Sequence, residues 1–149
     1  MKIEKFTTKY LGEMARLFSE VYSEPGEKWS IEASSNYLKN EYRLSPKLCF
    51  VALDDEGKCV GGIFAKTFPS PKGKFVSIDS IQVQPRFRKM GVAKELLKKL
   101  VAVSKRDKVE GFYLLADSRK EFPRSWFMYL GFEPDHWLGY TAARDKIKL

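Results

Sequence analysis

The chain carries one histidine and two cysteines in 149 residues, and none of its apolar runs is long. Each scarcity removes a class of function. His136 stands alone, and no cysteine–histidine spacing suits zinc, so no metal is expected. A Ser-His-Asp triad built on His136 lacks the glycine-flanked serine turn that would support it. The apolar runs fall far short of a membrane span, and the first ten residues, MKIEKFTTKY, lack the apolar stretch of a signal peptide. No membrane partner and a cytoplasmic location are therefore expected. Cys49 and Cys59 fall on two strand-like runs joined through Asp54 to Gly57. Paired as a hairpin, they would lie on opposite faces, where they cannot bridge, which describes a reduced protein.

Enough apolar material is present for a core: 44% hydrophobic and 14% aromatic residues place the chain among globular proteins. Its length fits one domain, residues 1–149, with no repeat or dividing linker. Lys2 to Phe6 reads as a first strand. Leu11, Met14, Ala15, Phe18, Val21 and Tyr22 follow helical spacing, with Thr7 or Thr8 as N-cap. Ser23 to Gly26 breaks that helix, and a second runs from near Ser30 to about Tyr42. Strands follow at Leu48 to Leu53, Cys59 to Phe68 and Lys74 to Gln84, the last with Val76, Ile78 and Ser80 on one face. A third helix is striped by Val92, Leu96, Leu97, Leu100 and Val101. Gly111 to Ala116 gives a fifth strand, Pro123 to Leu130 a fourth helix, and the tail from Phe132 one or two more strands. The fold class is α/β (α+β): a mixed, mostly antiparallel sheet of six to seven strands with about four helices.

The most informative stretch is residues 82 to 97, QVQPRFRKMGVAKELL. It places a strand end, a proline, a basic glycine-containing turn and an amphipathic helix in succession. Such a turn aims backbone N–H groups and the positive end of a helix dipole at whatever sits above Arg88 to Ala93, which suits a phosphate or pyrophosphate. Gly91 permits positive φ and close approach of a ligand, and Ala93 leaves the approach unobstructed. Charge is concentrated in the same region. Residues 86 to 108 hold nine Lys or Arg against Glu95 and Asp107, which is most of the net charge of +8. That field attracts polyanions, whether a coenzyme or a nucleic acid, and part of it could be a solvated helix face.

Arg88-Lys89-Met90-Gly91-Val92-Ala93 resembles the Arg/Gln-x-x-Gly-x-Gly/Ala turn of the GNAT superfamily of N-acetyltransferases. Phe127-Met128-Tyr129-Leu130-Gly131-Phe132 resembles that family's Tyr-x-x-x-Gly-Phe segment, with phenylalanine in place of tyrosine. The two motifs stand in the family's order, and the resemblance covers nearly the whole chain. It implies a sheet splayed between the fourth and fifth strands and acetyl-CoA as co-substrate. It also implies transfer of the acetyl group to a primary amine by direct attack.

By resemblance, the backbone of Gln82, Val83 and Gln84 would bond the pantetheine and polarise the acetyl carbonyl. The turn Arg88, Lys89, Met90, Gly91, Val92 and Ala93 would hold the phosphates, and Phe127 would stand at the position of the family's thiolate-protonating tyrosine. Phenylalanine cannot donate a proton. Tyr129 is two residues on and roughly 200° around a helix, and Ser125 is a weaker substitute. Asp79 matches a carboxylate that many members place facing the acceptor amine; with an amine pKa near 10.4 to overcome, a base there has clear value. The loop between the first two helices would line the acceptor pocket with Tyr22, Glu24, Glu27 and Trp29, where carboxylates beside rings suit a cationic amine. Trp126 and Trp137 are either a second wall or core.

The expected acceptor is a small-molecule amine, with a protein or peptide N-acetyltransferase as the alternative. A non-catalytic acyl-CoA sensor on the same fold is the alternative of another class. Nucleic acid ranks last as a partner, because the glycine turn and Gly-Phe segment have no role in it. A homodimer is left open.

Overall fold

The computed structural model describes residues 1–148, which divide into two compact units, residues 1–115 and 116–148. The first unit is built in the order β1 (Lys2–Lys5), α1 (Leu11–Tyr22), α2 (Ile31–Leu44), β2 (Cys49–Leu53), β3 (Cys59–Ser70), β4 (Gly73–Val83), α3 (Val92–Arg106) and β5 (Gly111–Leu114). The strands form one sheet in sequence order; β1 to β4 are antiparallel and β5 joins β4 in parallel. A parallel neighbour requires a crossover, and α3 supplies it.

The local signals act as expected at most element ends. Ser30 caps α2, its hydroxyl accepting from the Ala33 N–H at 3.0 Å. Thr7 and Thr8 make no such cap: a short 3-10 turn, Thr8–Tyr10, leads into α1 without a side-chain bond. One face of the sheet is covered by α1 and α2, whose Met14, Leu17, Phe18 and Leu38 pack with Phe6, Val51 and Phe64. The other face takes α3 through Val92, Leu96 and Leu100. β2 is buried along its whole length, between the two layers.

Two irregularities in the ladder change side-chain facing. A register shift at Ala52/Leu53 sets Leu53 opposite Cys59, whereas Cys49 lies opposite Phe64. Cys49 and Cys59 are thereby brought to the same face, against the α1–α2 core, and not to opposite faces. They remain free thiols because they sit at opposite ends of the hairpin. The second shift lies between β3 and β4: Phe64 faces Ser80 and the next residue, Ala65, faces Ile78, so Asp79 is the extra residue of a bulge. Phe64 and Ala65 point to opposite faces, and Ser80 therefore leaves the face that Val76 and Ile78 share, contrary to simple alternation.

The second unit contains α4 (Glu121–Tyr129) and a 3-10 turn at Arg144–Lys146. No strand follows Phe132 among the described residues, so the sheet has five strands and not six or seven. The tail lacks the long alternating apolar runs that stabilise β3 and β4, and Trp137, Leu138 and Tyr140 are exposed. No helix among the described residues is long and apolar enough to cross a membrane.

Both helical layers approach the sheet at Gly61 and Gly62. A Cβ on Gly61 would sit 2.9 Å from Val92 and 3.1 Å from the Gln82 carbonyl; one on Gly62 would meet only the mobile end of Met14 and the Gln82 amide. Gly61→Ala is expected to cost about 2 kcal/mol by overpacking against backbone, and Gly62→Ala clearly less. Equal melting temperatures for the two variants would contradict this account of the packing.

Candidate active site

The site begins where the sheet opens. Parallel pairing of β4 with β5 ends at Ile78↔Leu114, so β4 from Asp79 to Val83 has no neighbour on that side. Backbone alternation decides which groups face the opening. The Gln84 N–H donates to the Val60 carbonyl of β3 at 2.9 Å. Gln82 and Gln84 thus direct their backbone groups to β3, while Ile81 and Val83 direct theirs to the opening. Of the three residues expected to contact pantetheine through the backbone, only Val83 is placed to do so. Gln82 is instead a buried side chain whose amide has no hydrogen-bond partner among the described residues.

Side chains satisfy most of this edge. The Tyr22 hydroxyl donates to the Ile81 carbonyl at 3.1 Å and accepts from the Ile81 N–H at 3.0 Å. Tyr37 donates to the Asp79 carbonyl at 3.3 Å, and the Arg88 Nε to the Val83 carbonyl at 3.4 Å. The Val83 N–H is left facing the opening. Burial pushes the Tyr22 and Tyr37 phenols above their ordinary range, so both stay neutral donors at physiological pH.

β4 then runs through a 3-10 turn, Pro85–Phe87, into the basic turn. Lys89 (φ 64°) and Gly91 (φ 83°) both adopt left-handed backbone, and Gly91 is the N-cap of α3. The first helical bond runs from the Glu95 N–H to the Gly91 carbonyl at 3.0 Å. Val92, Ala93 and Lys94 therefore keep their N–H groups available, at the positive end of a 15-residue helix. Nothing lies within 4 Å of a Cβ built on Gly91, so the glycine answers to conformation and leaves the space above it clear. The turn therefore combines open space with free backbone donors.

Asp79 is not a lone carboxylate. It shares the α2 side with Ser77, and its Oδ2 lies 2.9 Å from Lys66 Nζ while its Oδ1 accepts from Ser77 at 2.7 Å. Lys66 also reaches both oxygens of Glu41, at 3.3 and 3.4 Å. Glu41 is 5% exposed and Asp79 16%, with Lys66 at 36%. Glu41 is held above the ordinary carboxylate range by burial, then by the neighbouring Asp79 carboxylate, against the pull of Lys66. Neither Glu41 nor Lys66 was signalled by the sequence, since their contact spans 25 residues and follows no motif.

The loop between α1 and α2 is a tight turn in which Glu24 and Glu27 exchange backbone bonds at 2.9 and 3.0 Å. Glu27 is exposed and Glu24 half-buried. Trp29 packs against Phe18 and Tyr37, with ring centroids 5.0 and 5.6 Å away, and belongs more to the core than to a free wall.

In the second unit, the Gly-Phe segment is a helix stop. Gly131 (φ 98°) follows the C-cap Leu130; its N–H bonds the Met128 carbonyl at 3.0 Å, and the Phe132 N–H bonds the Phe127 carbonyl at 3.1 Å. The Phe127 and Phe132 rings meet at 5.7 Å, completing a Schellman motif. Phe127 is 6% exposed and also touches Trp126, whereas Tyr129 is 84% exposed. Trp137 and His136 are exposed, with His136 beside Asp135. No group of three or more potential metal ligands occurs among the described residues.

The positive charge of residues 86–108 is divided in space. Arg86, Arg88 and Lys89 belong to the turn, while Lys99 and Arg106 join Lys5 and Lys47 around a separate pocket of about 410 Å³.

An opened strand that runs directly into a basic turn and a free helix N-terminus, with carboxylates on the adjoining face, defines a class of α/β domain with a strand edge left open beside a helix start. More narrowly, the chain belongs to the acetyltransferase (GNAT) family, whose model matches residues 13–132. Solved structures of the same fold include a probable acetyltransferase at TM-score 0.78 and 21% identity, covering 96% of this chain and 97% of that one. Another is the aminoglycoside N-acetyltransferase AAC(6')-Iy in complex with CoA, at TM-score 0.76 and 20% identity, covering 96% and 94%. Naa20 of Chaetomium thermophilum, in complex with a bisubstrate analogue, aligns at TM-score 0.72 and 19% identity, covering 87% of this chain and 70% of that one. At these identities the likeness is one of fold. No curated protein matches the chain.

Removing the cation from the carboxylate cluster gives a clear test of its electrostatics. Lys66→Met should cost about 2 kcal/mol at pH 7.5, less than for a fully buried pair because Lys66 is partly exposed. The loss should shrink toward pH 5, since a carboxyl with a raised pKa is increasingly protonated and needs less compensation as pH falls. A pH-independent loss in thermal melts would rule out this electrostatic role.

Proposed function

We propose that the protein is an acetyl-CoA-dependent N-acetyltransferase acting on a primary amine of a small molecule. The observation that carries this reading is the continuity of the open β4 edge, ending in Val83, with the cradle at Lys89 to Lys94. The residues present fit the coenzyme. Free N–H groups, a helix N-terminus and Arg88 and Lys89 suit a pyrophosphate, and the unpaired Val83 N–H suits an amide or thioester carbonyl. Acetyl-CoA would supply the acetyl group as an activated thioester.

Around it, this chain's residues have distinct tasks. Val92, Ala93 and Lys94 hold phosphate through backbone donors, so side-chain changes there act weakly unless they block the approach. Tyr22 and Tyr37 fix β4 and keep water from competing for its carbonyls. Asp79 accepts a proton from the acceptor ammonium, either in contact or through water, so that the amine can attack. Glu24 and Glu27 provide the negative field that draws a cationic amine toward the α1–α2 loop. A small acceptor is preferred to a protein because that loop is a tight turn of few residues. Neighbours of the fold include both aminoglycoside and Naa20-type enzymes.

A second reading is favoured by one observation. Phe127, the position of the family's thiolate-protonating tyrosine, is a buried ring without a proton to give. An acyl-CoA sensor would bind the coenzyme and turn over nothing. A thiol of pKa about 8.5 is a tolerable leaving group without an acid, which keeps the enzymatic reading ahead.

Calorimetry with acetyl-CoA should give micromolar binding, with no binding of a short DNA duplex. Gly91→Asp should weaken acetyl-CoA binding at least tenfold, because aspartate tolerates left-handed backbone while its charge enters the cradle. Undiminished affinity in a folded variant would mean that the turn does not hold the phosphates. Acetylated product from kanamycin, spermidine or a lysine peptide then identifies an enzyme and its class of acceptor; tight binding with no product identifies the sensor.

A further inference from the structure

The mechanism above uses Asp79 alone, yet that carboxylate sits within a buried three-charge cluster. We propose that Glu41 and Asp79, held together by Lys66, form one proton-accepting unit, in which Asp79 faces the acceptor amine and Glu41 stores the proton. This rests on the acetyltransfer reading and extends it to two residues that are distant in sequence from both family motifs.

The argument is one of geometry. Lys66 Nζ stands 2.9 Å from Asp79 and 3.3 Å from Glu41, so one ammonium draws two carboxylates together on one face of the sheet. Two carboxylates and one ammonium leave one negative charge in a poorly solvated place. A proton bound between the carboxylates removes that charge, which makes the pair a ready acceptor. Asp79 follows Ser77 onto this face, and the bulge brings Ser80 beside it. Ser77 fixes Asp79 from one side at 2.7 Å, and Tyr37 holds its carbonyl.

Of the groups around the pair, only Lys66 opposes its neutralisation. Tyr37 on its own helix and Tyr22 on α1 are neutral phenols, and Cys49 on β2 is a thiol pushed up to about 12, chiefly by burial. Asp79 on β4 raises Glu41, and Lys66 on β3 is the single cation among these neighbours. Lys66 is itself held above its ordinary value by both carboxylates, against burial, so it stays an ammonium and does not take the proton.

The proton count closes. The acceptor ammonium gives one proton to the pair, leaving a neutral amine whose nitrogen forms the C–N bond as the thioester C–S bond breaks. The second nitrogen proton goes to the departing thiolate, and the pair returns its proton to water. Glu41 acts through Asp79 and is a positioning residue.

Carboxyl-carbon NMR of the whole chain, with ¹³C-labelled glutamate, reads Glu41 without turnover. Its carbon should titrate above the ordinary glutamate range in the wild type and move down in Asp79→Asn. A Glu41 carbon that titrates at or below the ordinary range, or does not respond to Asp79→Asn, would overturn the pair. Acetyl transfer to kanamycin or spermidine adds a second readout. Glu41→Gln should move the acid limb of kcat/KM to lower pH with little change in KM for acetyl-CoA. An unmoved limb with a lowered melting temperature would make Glu41 purely structural. If neither amine is acetylated, the enzymatic reading fails by itself, and the titration still decides whether the two carboxylates share a proton.

Discussion

A strand edge in the middle of a domain cannot be left bare. β4 loses its parallel neighbour after Ile78, and the outward backbone groups of Asp79, Ile81 and Val83 must find partners other than a strand. The chain meets this need with side chains from elsewhere: Tyr22 from α1, Tyr37 from α2 and Arg88 from the turn. Each of these ties a separate element to the opening. The position of α1 and α2 over the sheet, the aim of the basic turn and the free Val83 N–H all depend on this one gap. Tyr22 is the most constrained of the three, since its hydroxyl closes both bonding groups of Ile81 at once.

Electrostatics divides the first unit along the same line. Donors and cations gather where β4 ends, at Arg88, Lys89 and the start of α3. Carboxylates gather on the α2 side, at Asp79 and Glu41, with Lys66 keeping them from repelling one another. Such a separation suits the proposed reaction, because an anionic coenzyme and a cationic amine would each be drawn to its own side. Lys99 and Arg106 lie around another pocket, away from the turn.

Features carried by adjacent residues were legible in the sequence. Gly91, Ser30 and the stripe of α3 act through bonds within a few residues, and their signals are correspondingly local. Features set by registry were not. Two shifts in the ladder move Cys59 and Ser80 to faces that strict alternation denies them, and no composition rule announces a bulge. The one or two strands expected from Phe132 onward do not form among the described residues, where Trp137, Leu138 and Tyr140 are exposed. Asp79 was legible through its place on β4, but its partners Glu41 and Lys66 come from separate elements. The Gly-Phe segment shows a further limit: its residues are accounted for locally by a helix stop, whatever else Phe127 does.

The central claim is that a coenzyme lies along the open edge of β4 and ends on the turn before α3. Amide NMR of the whole chain with and without acetyl-CoA tests it directly. The account predicts shifts at Val83 and from Lys89 to Lys94, with the Ile81 amide retaining its protected, Tyr22-bonded character. Shifts confined to Lys5, Lys47, Lys99 and Arg106, or no shifts at saturating coenzyme, would contradict it.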